Sequence, residues 1–418
     1  MVCSAAVALT ARAQYIPSCV QNAVYHVERI RTLFDGSLNS LHHAYLTTVD
    51  NGTYTLKEML KQEAKNDFVA AMMKEVQDHE SRNHWSMIPR ADLPDGAKTI
   101  LAVWSFKRKV FPDGRVLKHK GRLCAHGGMQ TWGENYWETY APVVNWLSGR
   151  TLFALSVIHD LDTRSIDFVL AFPQAKLDID VFMELPWGFV PEGVADGDTG
   201  KYVLKLNKSL YGLKQAAFNW FGMLKKGLLD RNFKPSKIDP CVFFRDDCIV
   251  LCYVDDCIIF TKKGTKVADR FIDSLHNGPE NFILEDEGSL DKYLGVDVDR
   301  RKDGSIHLSQ SGLIARFLAL VCINEHENPK DTPAVKPMLH RDLDGPARRY
   351  AWNYRQAVGM LGYLQGSTRP DIATAVHQCA RFCNDPKLSH ERAIRRIGKY
   401  LHGNKDMGII FRPDPSKG

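Results

Sequence analysis

The run "CIVLCYVDDCIIF", residues 248–260, sets two adjacent aspartates inside an otherwise apolar stretch. A stretch that oily belongs in a core, where carboxylates are rarely left without a partner. The pattern predicts strands Ile249–Val254 and Cys257–Phe260, with Asp255 and Asp256 at or beside the tight turn between them. Aspartate is common in turns for purely local reasons, and Asp246–Asp247 is another such pair nine residues earlier. A second apolar stretch, "RSIDFVLAFPQA" at 164–175, carries Asp167. Strands set side by side would bring Asp167 against the Asp255–Asp256 turn, where three carboxylates repel unless divalent cations neutralise them. Hard oxygen ligands suit Mg²⁺, which binds through one or two carboxylates plus substrate phosphates and keeps part of its water. Two ions about 3.5–4 Å apart can stabilise the attacking and the leaving oxygen of a phosphoryl transfer.

At 418 residues the chain exceeds one comfortable core, so two or three domains or subdomains are expected. The net charge of +6 is unevenly spread. Ten basic residues face four acids between Glu80 and Gln130, and eleven face three between Gly345 and Lys405. Two basic blocks around a near-neutral middle suit a polyanion held at both sides of a central site, or two solvated faces. The ten cysteines include no C-x-x-C pair and mostly sit in apolar runs, as buried thiols of a reducing compartment do, which argues against zinc. No run approaches the roughly 18 apolar residues of a membrane span. The start "MVCSAAVALTARAQ" lacks the positive n-region of an export signal.

Apolar positions Leu56, Met59, Leu60, Phe68, Met72, Met73 and Val76 predict two helices over 55–83, broken near Lys65–Asp67. Two alternating segments within 97–128, joined by Phe111–Gly114 with its Pro-Asp-Gly turn, predict a hairpin loaded with lysine and arginine. Further along, the pattern predicts a helix over 146–160, strands at 164–172, 181–189 and 201–214, and a helix over 215–233. Consecutive strands over 241–263, a helix over 266–278 and a hairpin turning at Asp303–Gly304 follow. Helices then dominate, at 311–322, 350–366, 371–383 and 389–402. The class is α+β, sheet-rich in the middle with a helical, basic end.

"YVDD" at 253–256, with Asp167 on an upstream strand, resembles the palm of a reverse transcriptase, and more closely that of copia-type (Pseudoviridae-like) LTR retrotransposons. The likeness runs in the family's order through "AVWSFKRK" (102–109), "KGRLCAHGG" (120–128), "NYWETYAPVV" (135–144), "SIDFVLAFPQA" (165–175) and "SLYGLKQA" (209–216). It continues through "YLGVDV" (293–298), "YRQAVGMLGYL" (354–364), "TRPDIATAV" (368–376) and "RRIGKYLHG" (395–403).

This resemblance implies an α+β right-hand polymerase with fingers, a ferredoxin-like palm of antiparallel sheet plus helices, and a helical thumb and connection. The expected divisions are an unassigned segment or linker at 1–53, fingers and palm at 54–304, thumb and connection at 305–411, and a tail at 412–418 with the RNase H domain absent. The implied activity is RNA-directed DNA polymerisation on an RNA or DNA template, with two Mg²⁺ ions or, alternatively, Mn²⁺. Asp167 and Asp255 would be the principal metal ligands and Asp256 their companion, with an oxygen from the Phe168 backbone. Phe172 would be the aromatic gate against a ribose hydroxyl, though a core phenylalanine reads the same. Lys120 and Arg122 would hold the incoming triphosphate, although on composition they are surface basics. Tyr211, Gly212 and Gln215 would line nucleotide and template, with Gly212 allowing close approach. Arg369 would grip the template–primer backbone.

The chain departs from the family's K-Q-A-P-R-x-W-Y, reading "KQAAFNWF" with Ala217 and Phe218 in place of proline and arginine. Implied partners are an RNA template, a DNA primer and dNTPs, with RNase H or integrase supplied by another chain and no membrane. The implied location is the cytoplasm, in virus-like particles. The competing reading is a catalytically inactive retroelement remnant that binds nucleic acid without turnover. A nucleotide-binding signalling enzyme with the same metal chemistry leaves the long motif order unexplained.

Overall fold

The computed structural model describes residues 53–110 and 115–414. Nearly all of the 1–53 segment, the Phe111–Gly114 turn and residues 415–418 of the tail lie outside them.

Strand β1 (Thr53–Thr55) leads into the single-turn helix α1 (Leu56–Met59). A capping box starts it: the Thr55 hydroxyl accepts from the Glu58 N–H, and Glu58 accepts the Thr55 N–H at 2.8 Å. Helix α2 (Lys65–Ser81) follows, so the helical break falls at 60–64, just ahead of its expected place. Strands β2 (Trp85–Pro89), β3 (Thr99–Ile100), β4 (Ala102–Val110) and β5 (Val116–Ala125) come next. β4 and β5 pair antiparallel as the long basic hairpin, with β1 on the other edge of β4. Their pleat sends Trp104, Phe106, Leu123 and Ala125 into a core with Phe68, Met72 and Val76 of α2, and turns lysines and arginines outward.

Helix α3 (Trp146–Ile158) is capped by Asn145, whose side chain accepts from the Leu147 N–H at 2.9 Å. It feeds β6 (Leu161–Phe168), which ends at Phe168 and not at 172 as expected. Leu170 takes a left-handed φ of +50°, and the short helix α4 (Ala171–Gln174) redirects the chain into β7 (Lys176–Met183) and β8 (Tyr202–Lys208). These two, with β2 and β3, form a four-stranded sheet ordered β2-β8-β7-β3. Helix α5 (Ala216–Asp230) precedes β9 (Lys234–Pro235), β10 (Val242–Arg245), β11 (Cys248–Tyr253) and β12 (Asp256–Lys262). Helix α6 (Val267–His276) and β13 (Leu284–Ser289) complete the central, six-stranded sheet, ordered β13-β6-β12-β11-β10-β9.

Both faces of that sheet are covered, which is why the 248–260 run is oily throughout and does not alternate. Cys248, Val250, Cys252, Cys257 and Ile259 pack on Trp220 and Leu224 of α5 and Phe271 of α6. Ile249, Leu251, Ile258 and Phe260 pack on Leu152 and Phe153 of α3. Truncating a fully buried member such as Ile258 to alanine should cost about 2–5 kcal/mol.

Strands β14 (Lys292–Tyr293), β15 (Val296–Arg300) and β16 (Ile306–Ser309) begin a further antiparallel sheet. Position 304 is the turn of its β15–β16 hairpin, where Gly304 has φ +81°. Helices α7 (Ser311–Leu320), α8 (Tyr354–Ser367), α9 (Ala373–Ala380) and α10 (Leu388–His402) then build a bundle around Phe317, Leu361, Ile372 and Ile397. The stretch beyond 305 is not wholly helical, because β17 (Ile409–Phe411) returns to pair with β16. The bundle is tied back by the Trp146 indole, which donates to the Ser367 carbonyl at 3.2 Å, and by the Tyr363 hydroxyl, which donates to the Leu294 carbonyl. The whole is a mixed α+β chain.

Candidate active site

β6 and β12 run antiparallel in a register that sets Asp167 directly opposite Asp256. Asp255 lies in the two-residue turn between β11 and β12, one residue before that pair. The three carboxylates singled out from the sequence therefore meet at one end of the central sheet. Val254, the other turn residue, has φ +55°. A β-branched residue rarely adopts that conformation, which costs on the order of 1–3 kcal/mol. Two hydrogen bonds hold it there: the Trp220 indole donates to the Val254 carbonyl at 2.6 Å, and the Phe168 N–H donates to the Asp255 carbonyl at 2.9 Å. The side chain of Val254 packs on the core beside them. Phe168 thus ties the end of β6 to the turn through its backbone, while its ring packs edge-on against Trp220 and Phe282.

Burial, then the neighbouring charges of Asp255, Glu287 and Glu285, push the Asp167 carboxyl up to about 6, with Lys120 opposing. Asp256 is pushed up to about 7 by burial and then by Asp255, Asp167 and Glu287. Like charges that cannot escape into water favour the protonated form. Glu285 and Glu287 were not anticipated from the sequence. They come from β13, which pairs with β6 so that Glu285 stands opposite Asp167, and Glu287 accepts the Ser165 hydroxyl at 2.7 Å. Acids on an edge strand are ordinary, and only the pairing across more than a hundred residues gives them meaning.

The basic wall comes from β5. Lys120 and Arg122 project from one side of it, two residues apart. Burial, followed by Arg122 and Lys109, holds the Lys120 ammonium below its usual range, with Glu75 opposing. The Arg122 guanidinium lies 4.2 Å above the Tyr211 ring, and that ring sits 5.1 Å from Phe172. Burial drives the Tyr211 hydroxyl up to about 12. Lys120, Arg122, Tyr211 and Phe172 thus share one electrostatic neighbourhood with Asp167 and Asp255. Glu75, also unanticipated, accepts the Leu123 N–H at 3.2 Å from beneath β5, on a helix whose sequence marks it as nothing but solvated.

Three expectations change. Gly212 is glycine for a reason within the protein: its φ is +89°, and a Cβ there would stand 2.2 Å from the Ala125 carbonyl oxygen. Gly127 presses on it from the far side, where a Cβ would stand 2.1 Å from the Gly212 carbonyl. Gln215 is buried, with its amide engaged by Gln130 and the Asn135 carbonyl, both at 2.9 Å. Arg369 is wholly buried, and each guanidinium nitrogen is engaged, by Asp371 at 2.8 and 3.0 Å and by the Asn404 carbonyl at 2.8 Å. It holds the bundle together and has no free face for a phosphate.

Among the described residues no group of three or more His, Cys, Asp or Glu side chains is arranged to hold a metal ion. The donor set nevertheless suits a hard divalent cation. It consists of carboxyls whose mutual repulsion favours holding a proton, which a bound cation would replace, and Mg²⁺ needs only one or two of them when phosphates supply the rest.

The reverse transcriptase (RNA-dependent DNA polymerase) family matches residues 83–336. The chain is 31% identical over 378 residues to the retrovirus-related Pol polyprotein from transposon TNT 1-94 of Nicotiana tabacum, covering 88% of this chain and 28% of that protein. It is 34% identical over 348 residues to the retrovirus-related Pol polyprotein from transposon RE1 of Arabidopsis thaliana, covering 82% of this chain and 23% of that protein. A putative transposon Ty5-1 protein of Saccharomyces cerevisiae is 27% identical over 251 residues, or 59% of this chain and 78% of its own length. The chain therefore spans only about a quarter of the two plant polyproteins.

Proposed function

Because the chain belongs to the copia-type reverse transcriptases, we propose that it extends a DNA primer on an RNA or DNA template by joining the primer 3′-OH to the α-phosphate of a dNTP. The observation that carries this reading is the register of Asp167 against Asp256 beside the Asp255 turn, an acid cluster whose members raise one another's proton affinity. Asp167 and Asp255 would hold the divalent ions, with Asp256 and the Phe168 carbonyl as further oxygens. When bound, Mg²⁺ (or Mn²⁺) supplies positive charge for the attacking and leaving oxygens. Lys120 and Arg122 hold the triphosphate and take up charge as pyrophosphate leaves. Tyr211 contacts both the Arg122 guanidinium and the Phe172 ring, so the ring proposed as the gate against a 2′-hydroxyl is braced by the residue that orients the phosphate clamp. No helix among the described residues is long and apolar enough to cross a membrane, and a virus-like particle, with RNase H and integrase nearby, is the setting this reading implies.

The test is extension of an oligo(dT) primer on poly(rA) by the purified chain with dTTP and Mg²⁺. Extension that disappears with chelator and in Asp255→Asn supports the reading. Absence of extension with primer–template binding retained would favour a non-catalytic remnant, and extension indifferent to Asp255→Asn would remove the assigned site.

A further inference from the structure

Between β5 and α3 the chain forms a tight knob. Gly133 donates to the Tyr136 carbonyl, Asn135 donates to the Thr131 carbonyl, and the Thr131 N–H donates to the Asn135 side chain, each at 3.0 Å. The knob presents large aromatic rings outward: Trp132 is 65% exposed, Trp137 57% and Tyr140 71%. Trp132 and Trp137 stand edge-to-face at 5.6 Å, locked by the Trp132 indole donating to the Trp137 carbonyl at 3.1 Å. Isolated exposed hydrophobic residues are ordinary. Three big rings within nine residues stay more than half exposed on a hydrogen-bonded turn, so burial accounts for little of their presence.

The root of the knob is built into the candidate active site. Buried Gln130 donates to Gln215 at 2.9 Å and to the Asn135 carbonyl at 3.3 Å, and accepts the Lys214 N–H at 2.8 Å. The Lys214 ammonium donates to the Gln130 carbonyl and the Tyr136 hydroxyl, and lies 4.6 Å over the Tyr136 ring. Lys214 and Gln215 lie three and four residues after Tyr211, which carries Arg122. Of the acids on the knob, Glu134 pairs with Lys98 at 3.3 Å, while the Glu138 carboxylate accepts the Thr139 and Tyr140 N–H groups and keeps its negative charge. What the knob offers is flat π surface without spare positive charge. That chemistry fits unpaired nucleobases, which stack on aromatic rings whatever their sequence, and fits a phosphate backbone poorly.

We propose that Trp132, Trp137 and Tyr140 form a stacking platform for unpaired bases of the nucleic-acid strand beside the copying site. The choice of nucleic acid as occupant rests on the function proposed above. Its test needs neither metal nor dNTP, so it stands or falls separately from turnover. Binding of the full chain to a fluorescent primer–template is measured by anisotropy, with a blunt end or a short single-stranded template extension, at low and physiological salt. The wild type should favour the extended duplex by about tenfold or more. In the Trp132→Ala/Trp137→Ala variant that ratio should fall to within about twofold, with the dependence of affinity on salt unchanged because no phosphate contact is lost. The Trp132→Phe/Trp137→Phe variant should keep most of the preference. Retained preference in the alanine variant overturns the proposal. So does an equal loss on blunt and extended duplexes, or light scattering that shows the rings instead hold two copies of the chain together.

Discussion

β11 is flanked by two turns, and each carries an aspartate pair. At the β10–β11 turn Asp246 and Asp247 are exposed. Arg245 donates to Asp247 at 2.7 Å while its guanidinium lies 4.7 Å over the Phe233 ring. At the β11–β12 turn Asp255 and Asp256 are half-buried, their acidic neighbours are Asp167, Glu285 and Glu287, and the backbone is held at a disfavoured φ by Trp220 and Phe168. The same dipeptide six residues of strand away is thus a solvated reversal in one place and a store of unrelieved charge in the other. Neutralisation makes the difference: a carboxylate with its own arginine has nothing left to bind.

The largest expected contrast between the turns is in activity. Asp255→Asn should lower primer extension by roughly three orders of magnitude, the cost of several kcal/mol of charge stabilisation. Asp247→Asn should stay within about twofold of wild type, as surface changes do. Equal effects on a gel extension assay would erase the distinction. Next is Trp220→Phe, which leaves the Val254 carbonyl without its donor and should lower stability by about 1–3 kcal/mol in urea titration. An unchanged midpoint would mean the strained turn does not depend on the indole. A third contrast is a pH dependence in chelator-containing buffer. Asp167 and Asp256 keep their protons up to about 6 and about 7 in the folded chain, whereas an unfolded carboxyl releases its proton near pH 4. Their contribution is therefore fully present below about pH 4 and lost as pH rises through 6 and 7. Asp256→Asn should flatten that decline and raise the urea midpoint at about pH 8, while Asp247→Asn should leave the curve unaltered.

Much of the central hairpin was legible because its apolar residues fill both faces and its acids could only sit at the reversal. Even there the bounds shift: β11 stops at Tyr253, one residue short of the expected Val254, and β12 starts at Asp256, one residue before the expected Cys257. The end of β6 was not legible. Val169, Leu170, Ala171 and Phe172 prolong the apolar pattern, and nothing in a leucine announces a left-handed φ. The burial of Arg369 was not legible for a different reason. A cationic side chain in a basic block looks like a phosphate ligand, yet Asp371 two residues later was its partner, and burial decided between solvent and salt bridge. Gly212 required two glycine backbones to be seen in contact, and Glu285 required a strand pairing.

The return of β17 to β16 has a mechanical consequence. The chain leaves β16 for α7, passes through four helices, and comes back to the free edge of the very strand it left. The bundle is therefore held at both ends of its path, in addition to the Trp146–Ser367 and Tyr363–Leu294 hydrogen bonds along α8. It cannot be drawn off the sheet without peeling three residue pairs of β17. A protease cut in the long connection between α7 and α8 would leave both halves of the bundle anchored, one by the peptide chain and the other by that short strand.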